Sequence, residues 1–141
     1  LRRKCGSFIE TIPSSADGGN VDSMPKALSM SPMIPSRNIA VTAEFFINHL
    51  GFEAAMNSES YAVLIKDGAS VHLLPAGEDV GGMDVYLETD AVDEVWKQIE
   101  PHVQGIRHRA PFDQPYGMRE IHIDVPETNC LMFIGQAISG E

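Results

Sequence analysis

One pattern occurs twice in this chain, and the repetition limits the possible folds more than any single motif does. Asn38 is a good N-cap for a stretch in which Ile39, Ala43, Phe46 and Leu50 fall on one stripe, and Gly51 stops it. Strand-like segments follow near 52–57, 60–66 and 69–75, the last two joined by the hairpin dipeptide Asp67-Gly68. The pattern then restarts. Met83 to Thr89 reads as a strand and Asp90-Ala-Val-Asp93 as a capping box. Val92, Val95, Trp96 and Ile99 form a second helical stripe before Pro101. Three more strands are expected near 105–110, 117–125 and 130–135, and the two capping positions, Asn38 and Asp90, lie 52 residues apart. With the apolar segment from Leu28 to Pro35 in front, each unit reads β-α-β-β-β. A unit of that size cannot cover its own sheet, so the expectation is an α+β domain whose two modules close on each other.

Alternation within the strands assigns faces. Side chains alternate across a strand, so Glu120, His122 and Asp124 share one face, opposite Arg119, Ile121, Ile123 and Val125. The same rule sets Asp84, Tyr86 and Glu88 against Val85 and Leu87, and Ser70, His72 and Leu74 against Val71 and Leu73. The aliphatic sides belong under the helices. A polar side of this kind is either a solvated outer face or the wall of a ligand site.

Charge narrows the partners. The chain has 10 Lys and Arg against 20 Asp and Glu, a formal charge of -10. Nucleic acid is not an expected partner, because phosphate binding needs a basic surface; a cationic ligand suits the imbalance. Cys5 and Cys130 stand far apart and make neither a disulfide framework nor a metal-type cysteine pair, which points to a reducing, cytoplasmic setting. No apolar run approaches a membrane span. Residues 1–23, rich in Ser, Gly and Pro, read as an N-terminal extension or added leader, and 24–141 as the folded domain, with modules at about 28–75 and 82–135. Residues 24–141 hold 7 basic and 17 acidic side chains, so the acidity belongs to that domain.

The segment Ile34-Pro-Ser-Arg-Asn-Ile-Ala-Val-Thr-Ala-Glu-Phe-Phe-Ile-Asn-His-Leu-Gly-Phe52 resembles the opening helix motif of the glyoxalase/bleomycin resistance/extradiol dioxygenase superfamily, the vicinal oxygen chelate proteins. Tyr116-Gly117 with Val125-Pro-Glu-Thr-Asn129 resembles its closing signature, and the likeness spans roughly residues 28–135. It implies a curved sheet around a crevice, in a homodimer. It also implies that the polar strand faces are crevice walls, so that His72, Asp84, Tyr86, Glu88, Tyr116, Glu120, His122 and Met132 are the expected ligand-binding residues. The metal positions of the superfamily fall at about Ser31, His72, Asp84 and Met132, where Ser31 replaces a usual His and Met132 a usual Glu. A thioether does not suit a hard divalent ion, so only His72 and Asp84 remain as weak metal candidates and no cofactor is expected.

The branch most resembled is that of the bleomycin resistance proteins, which implies a metal-free protein sequestering a cationic or amphipathic small molecule such as an antibiotic. The alternative is a metal-dependent lyase, isomerase or dioxygenase of the same superfamily. So many carboxylates in one crevice would raise one another's pKa values unless Arg107, Arg109, Arg119 or a cation neutralised them. With aromatics at only 7% of the chain, a flat drug is expected to find a poorer stacking platform here than in that branch. Trp96 reads as core, Cys130 as a buried apolar group, His49 as a helix-terminal histidine favoured by the dipole, and His102 and His108 as solvated. No phosphate loop or nucleophile elbow is present.

Overall fold

The computed structural model describes residues 24–138; the expected N-terminal extension, 1–23, lies outside them. The chain divides into Leu1–Met30 and Ser31–Glu141, and everything below concerns the second unit. Its elements are β1 (Met33–Ser36), α1 (Ile39–Glu44) continued by a π-helical turn (Phe45–His49), β2 (Glu53–Asn57), β3 (Ala62–Lys66) and β4 (Ala69–Pro75). The second set is β5 (Met83–Glu88), α2 (Val92–Ile99) with a 3-10 turn (Glu100–His102), β6 (His108–Asp113), β7 (Met118–Asp124) and β8 (Cys130–Ala137). The two β-α-β-β-β modules are therefore both present, each as a four-stranded mixed sheet. The strand orders are β1-β4-β3-β2 and β5-β8-β7-β6, with one parallel pair in each, β1 with β4 and β5 with β8.

Local chemistry accounts for most boundaries. Asn38 caps α1, its side chain accepting from the Val41 amide at 3.3 Å, and Gly51 ends the helical segment at φ 81°, where a side chain would be strained. The stripe Ile39, Ala43, Phe46 and Leu50 is buried throughout. The second helix departs from expectation. Its N-cap is Ala91, whose side chain makes no cap, and the Val92 amide instead donates to Gln136 Oε1 at 2.9 Å, so β8 supplies the acceptor that Asp90 was expected to provide. β1 starts later than expected, at Met33, and β6 is shifted to His108–Asp113.

One hydrophobic cluster unites both modules. Ile34, Phe46, Leu64, Val71 and Leu73 of the first pack with Val92, Ile99, Ile121, Ile123 and Ile134 of the second. The closing loop of the second module docks on the start of the first helix. Thr42 Oγ1 donates to the Pro126 carbonyl at 2.8 Å, the Arg37 amide to the Glu127 carbonyl at 2.8 Å, and Ser36 bridges Thr128. The two stretches that carried the family resemblance thus meet. The aliphatic sides of β4, β5 and β7 face this core, which leaves their polar sides turned away from the helices.

Candidate functional site

The outward face of the second sheet is built row by row from strand register. Tyr86 on β5 pairs with Phe133 on β8, Phe133 with His122 on β7, and His122 with Arg109 on β6. Partners in register share a face, so these side chains stand side by side. Tyr86 stacks on Phe133 at 6.1 Å and 22°, His122 lies 4.1 Å from Phe133, and Phe112 meets His122 edge-on at 4.9 Å. The Arg109 guanidinium sits 3.5 Å above the Phe112 ring, within the range of a cation–π contact. A ring ladder therefore crosses all four strands. Three of the chain's aromatic residues, Tyr86, Phe133 and Phe112, meet here with His122.

Beneath the ladder lies Glu120, fully buried. Its Oε2 accepts from the hydroxyls of Tyr86 at 2.8 Å and Tyr116 at 2.7 Å, and its Oε1 from Gln114 Nε2 at 3.1 Å. His122 Nε2 lies 2.9 Å from the same Oε1 and, against an ionised carboxylate, donates. Burial pushes the Glu120 pKa up, but the four hydrogen bonds outweigh it and hold the pKa below the ordinary carboxylate value. The expectation of a raised crevice carboxylate fails here because donors, rather than a cation, stabilise the charge. Glu120 is also not a surface that a ligand reaches: its acceptor sites are occupied, and its role is to fix two tyrosines, a glutamine and a histidine. Burial, with the Glu120 hydrogen bond and charge, pushes the Tyr116 hydroxyl up to about 12, which keeps it a donor.

Asp84 and Asp124 flank Leu131 in the next row. Arg107 neutralises Asp124 through two bonds of 2.9 Å, and these residues border a cleft of about 650 Å³ that also reaches Asn129. Arg119, in contrast, pairs with Asp93 and Asp113 at the helix side and takes no part in the face. Glu88 lies in register with Gly135, which in turn pairs with Glu120. Cys130 is buried, and burial with the nearby Asp84 and Asp124 charges pushes its thiol up to about 11.

Two expected site residues are placed elsewhere. Met132 pairs with Val85 and Ile123, is 3% exposed, and packs in the core. It faces the helices and neither lines the crevice nor replaces a metal ligand there; its neighbour Phe133 takes the outward position. His72 is on β4 of the first sheet, bonded through Nδ1 to the Tyr61 hydroxyl at 2.7 Å. Ser31 bonds Ser70 through their hydroxyls. Among the described residues no three His, Cys, Asp or Glu side chains are grouped to hold a metal ion, so the superfamily's metal does not fit this donor set.

The first sheet's outward face differs in kind. Met33 pairs with His72, Val63 with His72 and with Met56, and Ile65 with Ser70. Met33, Met56 and Ile65 are 49%, 52% and 43% exposed. His49 lies in the last turn of the helical segment, as expected; its ring stacks on His102 at 4.1 Å, and burial with the His102 charge pushes its pKa down.

No family model matches the chain. A bleomycin resistance protein of Geobacillus stearothermophilus is 23% identical over 130 residues, covering 77% of this chain and 97% of the relative. Among solved structures, a bleomycin-binding protein complexed with bleomycin superposes with TM-score 0.64 at 22% identity, covering 80% of this chain and 98% of its own. A lactoylglutathione lyase of Agrobacterium tumefaciens superposes equally well, with TM-score 0.63 at 14% identity over 79% of this chain and 96% of its own. A binding protein and a lyase share the architecture, so the fold does not choose between them. Among the described residues no helix is long and apolar enough to cross a membrane.

Proposed function

We propose that this chain, whose fold is that of the glyoxalase/bleomycin resistance superfamily, is a metal-free binding protein that sequesters a cationic, ring-bearing small molecule on the outward face of its second sheet. The observation that carries the reading is the ladder Tyr86–Phe133–His122–Phe112 laid over the buried, ionised Glu120. Rings supply stacking area for a flat group, and the charge below them, with Asp84 and Glu88 at the margins, favours a positive ligand. Sequestration needs affinity and stoichiometry, not a reacting group, which agrees with the donor set described above. Bleomycin, the ligand of the bleomycin-binding structure, is the first probe to try.

The ligand site is completed in a homodimer on this reading. The ladder is a partly exposed wall in one chain, while the first sheet presents Met33, Met56 and Ile65 to solvent. Apolar side chains gathered on one sheet face mark an interaction surface; a second copy would cover them and enclose the ladder. The cytoplasm is the expected setting.

Thermal unfolding with bleomycin and a panel of basic drugs, each with and without divalent metals, tests the reading. Binding raises Tm by mass action, and the rise is independent of metal. No shift with any of them at near-millimolar concentration, or a shift that requires a divalent ion, overturns it.

A further inference from the structure

Gly135 lies on β8 between Glu88 and Glu120, in ordinary strand conformation, so backbone freedom does not explain a glycine there. Space does. A Cβ at this position would collide with Tyr86 Oη and lie 2.8 Å from Tyr86 Cζ and 3.1 Å from Glu120 Cγ. The Tyr86 side chain crosses β8 over this position to place its hydroxyl on Glu120. The strand cannot move aside, because pairing holds Gly135 to β5 and β7 and its carbonyl accepts from the Thr89 amide at 2.8 Å. Any side chain there must displace the Tyr86 ring.

We propose that Gly135 is a positioning residue of the crevice: its missing side chain is what lets Tyr86 reach Glu120 while stacking on Phe133. A methyl group at 135 removes one of the four donors that keep a buried carboxylate charged, and it tilts the first ring of the ladder. Gly135 thereby sets how flat and how negative the ligand wall is. The ligand consequence rests on the binding reading above; the effect on Glu120 does not.

The test is a double-mutant cycle of Gly135→Ala and Tyr86→Ala, with Tyr86→Phe beside it. Carboxyl titration followed by NMR should show the Glu120 pKa raised in Gly135→Ala and in Tyr86→Phe alike. Bleomycin affinity should fall about tenfold or more in Gly135→Ala, the scale of losing one hydrogen bond to a charged group together with its ring contact. In the Tyr86→Ala background, Gly135→Ala should add little to either the titration or the unfolding midpoint, since the clash with Tyr86 is gone and only the 3.1 Å approach to Glu120 Cγ remains. If Gly135→Ala alone does not fold, folding of the double variant supports the proposal, and failure of both overturns it. An unchanged Glu120 titration in Gly135→Ala, or an equal cost in both backgrounds, also overturns it. Wild-type protein that ignores bleomycin counts against the binding reading, and the titration arm then decides the role of Gly135.

Discussion

The two modules share a topology and differ on their outward faces. In the first sheet that face carries Met33, Met56, Ile65 and the His72–Tyr61 pair; in the second it carries four rings in a row over a buried carboxylate. The helix-facing sides are alike, aliphatic in both, because both serve one core. Duplication fixes the side that folds and frees the side that does not. A chain that repeats a β-α-β-β-β unit can therefore commit one copy to a ligand and leave the other to cover it.

The largest expected effect breaks the second face at its centre. Glu120→Ala leaves four partly buried donors around a hole and should cost about 3 kcal/mol in denaturant unfolding, because all four lose their acceptor at once. His72→Ala on the first sheet, which removes one partner of a half-buried hydrogen bond, should cost about 1 kcal/mol in the same measurement. Similar losses at the two sites would erase the contrast. Ile65→Lys sharpens it from the other side. Sedimentation should show the dimer dissociated, while monomer stability changes by no more than about 0.5 kcal/mol, as for other exposed positions. A monomeric wild type would refute the role given to the first face.

The smallest effects are those of pH. The native Glu120 pKa lies below its unfolded value, so the native state favours the ionised form. Its contribution is complete above the ordinary carboxylate value of 4.5 and is lost as pH falls through the native pKa. His49 is also depressed, so the native state favours its neutral form. That contribution is complete above 6.5 and declines as pH drops below it. Glu120→Gln should flatten stability against pH in the acid range, and His49→Ala should flatten it just below 6.5. Curves parallel to wild type would contradict the assignments.

Local signals in the sequence located most elements. Asn38, Gly51 and the Asp67-Gly68 turn act within a few residues, and all three hold in the structure. The alternation of β7 also placed Glu120 and His122 on one face. β8 is different: Cys130-Leu-Met-Phe-Ile is apolar on both sides, so period-2 contrast vanishes and a one-residue slip exchanges the faces. Met132 was placed in the crevice by carrying the superfamily's metal position onto this strand, and a pattern apolar on both sides offered nothing to correct it or to reveal Phe133. Phe112 was hidden because the expected strand ended near 110, short of it, and the register shift between Arg109 and Phe112 also breaks strict alternation along β6. Alternation tells which way Glu120 points but not how deep it lies, since its burial depends on Tyr86, Gln114 and Tyr116 arriving from other segments. The Asp90 cap failed for the same reason: its replacement, Gln136, is distant in sequence.

Calorimetric titration of bleomycin into wild type and Phe133→Ala, at matched protein concentration and with chelator present, tests the central claim most directly. The ring ladder predicts saturable binding to wild type without metal and an affinity about tenfold lower or worse in Phe133→Ala, the scale of losing one stacked aromatic contact. Equal affinity in the two proteins, or binding to wild type only when a divalent metal is restored, would contradict it.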